Sequence, residues 1–102
     1  MYKGEVHNLS DIDWPVIYKL IDKIFNNYTR RLRASFPLLT EEDIQCCCLI
    51  KLQLSTSAIA RLYSIAPSSV TKRKQRIKER INQGKNELIG KDQPTDVYLW
   101  GF

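Results

Sequence analysis

LSTSAIARLYSIAPSSVTKRKQRIKERIN, residues 54–82, is the stretch whose reading decides this chain. Ser55 is a helix cap, and Ile59, Ala60 and Leu62 give the short helix after it a buried face. Tyr63-Ser64-Ile65 reads as a turn. Pro67 then suits the first position of another helix, where its missing N–H costs nothing. At 100° per residue, Ile77 and Ile81 fall about 20° either side of Val70, so these three form one inward stripe. Ser68, Lys72, Gln75 and Glu79 lie within about 40° of the opposite direction, with Thr71, Ser69 and Arg76 flanking them. Lys74 lies on the edge of the inner stripe and is expected to snorkel its head out to phosphate or water. The stretch reads as helix, turn, helix, the second helix spanning 67–82.

That second helix also holds the net charge of the chain. Between Lys72 and Arg80 stand six basic residues against one acid, a surplus equal to the formal charge of +5, and the rest balances at ten against ten. A charge run is usually a solvated helix face. This one follows hydroxyls at the start of a helix, and clustered cations favour a polyanion over a small acidic ligand.

Working outward, Asp13-Trp14-Pro15 opens a helix. Trp14, Ile17, Tyr18, Ile21, Ile24, Phe25, Tyr28 and Leu32 recur at steps of three and four, predicting one amphipathic helix of about 20 residues. Phe36-Pro37 ends it. Thr40-Glu41-Glu42-Asp43 starts the next, with Thr40 as cap, acids at the positive end of the dipole and Leu39 as staple. Asp43 stands where a capping box usually has the longer Glu or Gln. That helix continues through Ile44, Cys46, Cys47, Leu49 and Ile50 to about Gln53. Gly84 is a helix stop. Gln93-Pro94-Thr95 looks like a last start, for a short helix carrying the aromatic tail Tyr98, Trp100 and Phe102. The fold class is all-α: a three-helix unit with a long N-terminal amphipathic helix and a short C-terminal helix. One compact domain comprises residues 1–37, a tail and the amphipathic helix; 38–83, the unit itself; and 84–102, a linker and the aromatic helix.

At 102 residues and 43% hydrophobic content the chain can bury a small core without staples. Neither a membrane-length apolar run nor a signal peptide is visible. Cys46, Cys47 and Cys48 are adjacent and odd in number, which suits no disulfide framework. Successive side chains on a helix point about 100° apart, so the three cannot converge on a metal, and core packing is expected. Reduced thiols point to the cytoplasm. The single histidine, His7, lies in a polar tail, and no catalytic set, phosphate loop, metal spacing or cofactor motif appears. The chain is not expected to be an enzyme.

Leu39-Thr40-x-x-Asp43, then Leu54-Ser55-x-x-x-Ile59-Ala60-x-Leu62-x-x-Ile65-x-Pro67-x-x-Val70, then Arg76-Ile77 and Ile81, resembles the LuxR-type (GerE-like) helix-turn-helix over residues 38–82. With Trp14, Phe25, Tyr28, Leu32 and Phe36 before it and Tyr98-Leu99-Trp100-x-Phe102 after it, the chain is similar to C-terminal regions of Bacteroidetes regulators. The resemblance implies a DNA-binding domain of a transcriptional regulator, often dimeric. Ser69, Thr71, Lys72, Gln75 and Arg76 fall where the family contacts DNA. In this sequence Gln53 and Ser64 stand where glycines are common, and Ala66 replaces a hydroxyl cap. The family's dimerising helix is not recognisable after Gly84.

On this reading the helix 67–82 enters the major groove of double-stranded DNA. Ser68, Ser69, Thr71, Lys72, Gln75 and Arg76 are the candidates to read bases. Ser55, Thr56, Ser57, Arg61, Arg73, Lys74, Lys78 and Arg80 are the candidates to hold phosphates, and Arg30, Arg31 and Arg33 a weaker group. The aromatic stripe from Trp14 to Phe36 has two readings. Either it packs over the three-helix unit and is capped by Trp100 and Phe102, or part of it, with Trp14, Tyr18 and Phe25, pairs with the same helix of a second copy. On the second reading a homodimer forms through the Trp14–Phe36 helix or through the aromatic tail. The alternative is a protein-interaction adaptor on the same fold, or a domain like region 4 of bacterial sigma factors, whose recognition helix Ser69-Val70-Thr71-Lys72-Arg73 also resembles.

Overall fold

A computed structural model describes residues 12–83 and 88–102 of the chain. The tail with His7 and the expected stop at Gly84 lie outside the described residues. Those described hold only α-helices: α1 (Trp14–Ile24), α2 (Tyr28–Ser35), α3 (Glu41–Lys51), α4 (Thr56–Tyr63), α5 (Pro67–Asn82) and α6 (Thr95–Gly101).

The chain is all-α as expected, but the long N-terminal helix is broken in two. Asn26 and Asn27 both take left-handed backbone, φ 57° and 59°, a conformation asparagine tolerates better than most side chains. Asp22 fixes the break by bridging it. Its carboxylate accepts from the Thr29 amide at 2.6 Å and the Thr29 hydroxyl at 2.7 Å. Arg31 closes the other side, donating to the main-chain oxygens of Asn26, Phe25 and Phe102. Periodicity alone ran through this corner because the apolar spacing continues across it.

Around α3 the core closes. Its three adjacent cysteines are buried and free, as expected of small core side chains. Tyr28 and Leu32 from α2, Ile59 from α4, Val70, Ile77 and Ile81 from α5, and Leu99 from α6 pack in the same cluster. The aromatic tail docks within the chain: Phe102 stacks near Tyr28 and Phe36, and the Trp100 indole donates to the Ile50 carbonyl at 2.9 Å.

The helix starts carry the expected caps. Ser55 accepts from the Ala58 amide at 3.1 Å. Thr40 and Asp43 form both bonds of a capping box, so the shorter side chain suffices. Gln53 and Ser64 both sit at positive φ, 66° and 57°, at the two places where the resembled family commonly has glycine. Ala66, before Pro67, has capping geometry and no side-chain bond. Ala66→Ser is therefore expected to raise unfolding stability by about 1 kcal/mol, read as a higher melting temperature.

Candidate nucleic-acid interface

The outward face of α5 is positioned from beneath by Val70, Ile77 and Ile81, all fully buried. With one stripe anchored, the residues half a turn away must face solvent. Ser68, Thr71, Lys72, Gln75 and Arg76 are exposed there, and Ser69 is half-buried. Ser69, Lys72, Gln75 and Arg76, with Ile65, Arg73 and Glu79, line a shallow open depression of about 560 Å³. Five of the six candidate base readers thus sit on exposed surface. Thr71 also bonds back to its own helix, its hydroxyl donating to the Pro67 carbonyl at 3.3 Å.

The six cations of α5 separate into two groups. The side chains of Lys72 and Arg76 make no hydrogen bond or ion pair among the described residues. Arg73 lies over the Tyr63 ring, 4.4 Å from its centroid, and stays half-exposed. Stacking holds a guanidinium in place while leaving its edge free to donate.

The other three, also candidates to hold phosphates, are engaged within the chain. Lys74 has a side chain only 11% exposed and pairs with Asp96 at 2.8 Å. Its ammonium also donates to the Thr56 hydroxyl at 2.9 Å, so Thr56, another expected phosphate contact, is engaged as well. Lys78 donates to the carbonyls of Lys91 and Gln93 at 3.1 and 3.0 Å. Arg80 pairs with the buried Asp43. The reason is common to all three. These side chains leave α5 beside its inner stripe, where α3 and the chain entering α6 bring acids and carbonyls within reach. The Thr95 hydroxyl adds a bond to the Lys74 carbonyl at 3.1 Å, fixing α6 against the middle of α5.

Two of the weaker arginine group are committed too. Arg33 is bidentate to Glu41 at 2.8 and 3.1 Å, and Arg31 holds the corner described above; Arg30 is exposed. On α4, Ser57 and Arg61 are exposed, and the Ser55 hydroxyl is taken up by capping.

Sequence reasoning missed Tyr63 as the platform for Arg73 and Asp96 as the partner of Lys74. The second had no sequence signal, since the two residues meet only because α6 folds back. The first had one: Tyr63 closes the shorter helix at its contact with the longer one.

Asp43 joins the interface helix to the core. One carboxylate both accepts from the Thr40 amide at 2.9 Å and pairs with Arg80. Asp43→Ala removes a cap worth about 1 kcal/mol and strips a partly buried guanidinium of its partner. The variant is expected to lose about 3 kcal/mol in urea unfolding. Arg80→Met, which keeps the apolar stem and the capping box, is expected to lose less than half of that.

Among the described residues no group of three or more His, Cys, Asp or Glu side chains is placed to hold a metal ion, and no helix is long and apolar enough to cross a membrane. Comparison with protein-family models, with curated proteins and with solved structures gives no match.

Proposed function

We propose that the chain is a sequence-specific DNA-binding domain of a transcriptional regulator, with α5 lying in the major groove. The observation that carries this reading is the outer face of α5. There Ser69, Lys72, Gln75 and Arg76 stand together on a helix braced from behind, with both cations uncommitted. Arginine and lysine suit guanine, glutamine suits adenine, and small hydroxyls near the helix start permit close approach. Arg73 on Tyr63 flanks that face, and it and the exposed Arg61 of α4 supply phosphate contacts.

The division among the cations makes the proposal quantitative. Each phosphate neutralised contributes roughly −0.9 to the slope of log affinity against log salt. Arg61 and Arg73, the two phosphate contacts, together give a slope of roughly −2. Adding Lys74, Lys78 and Arg80 would bring it to roughly −4 to −5. Titration of fluorescent duplex at several salt concentrations measures the slope, and selection from a random duplex pool tests for a preferred site. Absence of binding to any duplex at low salt would overturn the proposal in favour of the protein-interaction reading.

A further inference from the structure

One apolar face is used by nothing else in the described chain, and it lies on α1. Val16, Leu20 and Ile24 stand four residues apart on a single ridge and are 49%, 50% and 65% exposed. This ridge is distinct from the aromatic stripe, which follows the first of its two readings and packs on the chain itself. Trp14, Tyr18 and Phe25 are half-buried and pack against the core cluster, because the corner at Asn26-Asn27 turns that side of α1 onto the rest of the molecule. The two ends of the exposed ridge carry opposite charges. Asp13 is the N-cap and Lys23 lies in the last turn. Both are exposed, and neither is in an ion pair among the described residues.

We infer that this face pairs with the same face of a second copy, the two α1 helices running antiparallel about a two-fold axis level with Tyr18. Val16 of one copy then meets Leu20 of the other, and Leu20 meets Val16. The same register, carried outward, sets Ile24 against Ile12 and Lys23 against Asp13, each twice by symmetry. A shallow crossing keeps the ends of the ridge in reach of each other. Charge selects this orientation. A parallel pair would set Asp13 on Asp13 and Lys23 on Lys23, whereas the antiparallel pair joins opposites and opposes the helix dipoles favourably. Lys19 lies about 100° round from Leu20 and stays in solvent. The inference does not rest on DNA recognition, and its test contains no nucleic acid.

Sedimentation equilibrium of the full chain measures it, with far-ultraviolet circular dichroism to verify that each variant folds. The wild type is expected to dimerise. Leu20→Glu sets two carboxylates in the seam and is expected to weaken the dimer by ~100-fold or more. Lys23→Asp and Asp13→Lys each set like charges together and are expected to weaken it by about 10-fold. Asp13 also caps α1, so the decisive variant is the double reversal D13K/K23D. It lacks the cap but restores both charge pairs, and is expected to return to within about threefold of wild type. A monomeric wild type, a dimer indifferent to Leu20→Glu, or a double reversal no better than the singles would each overturn the inference. So would a monomer whose binding to anionic phospholipid vesicles is lost in Leu20→Glu, since the ridge would then face a membrane.

Discussion

Raising the pH from 8 to 10 is expected to cost the folded chain about 5 kcal/mol of stability, about 4 of it through three thiols. Burial pushes the Cys46 thiol up to about 11 and Cys48 up to about 12, from an ordinary value near 9, and pushes Cys47 well above it. Below pH 9 both folded and unfolded chains hold these protons, so the contribution is fully present there. Above it the unfolded chain releases three protons that the folded chain keeps. Its ionisation therefore draws the equilibrium toward unfolding, until the folded-state values are themselves passed. Each thiol accounts for about 1.4 kcal/mol across that interval. Against a total of about 5–15 kcal/mol for a domain of ordinary stability, the loss is large. Urea unfolding under reducing conditions at the two pH values measures it. The Cys46→Ala, Cys47→Ala, Cys48→Ala triple variant starts less stable but should lose only about 1 kcal/mol over the same range, through its phenols. A wild type equally flat would mean that the thiols are not desolvated. The buried phenols of Tyr28 and Tyr63 are also raised by desolvation; their share of the loss sets in as the pH nears 10 and grows above it.

Those cysteines illustrate what the sequence made legible. Three adjacent thiols on a helix point in three directions, so their common burial requires neighbours on several sides of α3. The other five helices supply them, α4 and α5 beside Cys46. Local signals read well for the same kind of reason. Pro67 fixes the start of α5, Ser55 and Thr40 fix the starts of α4 and α3, and the Val70-Ile77-Ile81 stripe fixes which side of α5 faces out. Each depends on residues within one or two turns.

What escaped was set by partners distant in sequence. Nothing near Lys74 announces Asp96, 22 positions away, and nothing near Arg80 announces Asp43. Charge at a position states what a side chain can bind, and the fold decides whether that capacity is already used. The corner at Asn26-Asn27 escaped differently. Its residues are polar and short enough to look like an ordinary solvent face of one helix, and only the Asp22–Thr29 bridge separates the two readings. That corner decides both sides of α1: it packs Trp14, Tyr18 and Phe25 against the core, half-buried, and leaves the Val16-Leu20-Ile24 ridge outside.

The proposed DNA reading now makes its strongest demand on Lys72 and Arg76. Either changed to alanine is expected to lose about 1–3 kcal/mol on the preferred duplex and to relax preference at a particular base pair. The two sit four residues apart on one face, so their losses add only approximately, and the double variant should fall by on the order of 10²–10⁴-fold. Gln75→Ala should broaden the selected site while leaving the salt slope unchanged, since it carries no charge. Lys74→Met provides the contrast. Its ammonium is held by Asp96 and Thr56, so the variant should unfold more easily, with Asp96 left unpaired, yet bind duplex with the wild-type salt slope. Loss of one unit of slope in Lys74→Met, with stability intact, would show that this side chain leaves its pocket for a phosphate. Equal losses for Lys72→Ala and Arg76→Ala on preferred and random duplexes would reduce α5 to a backbone contact and remove the base-reading role. Fluorescence anisotropy on both duplexes, with urea unfolding of the same variants, distinguishes these outcomes because affinity and stability are read separately. The face of α5 is thus tested through its two uncommitted cations and one amide, and the braced cations behind it serve as internal controls.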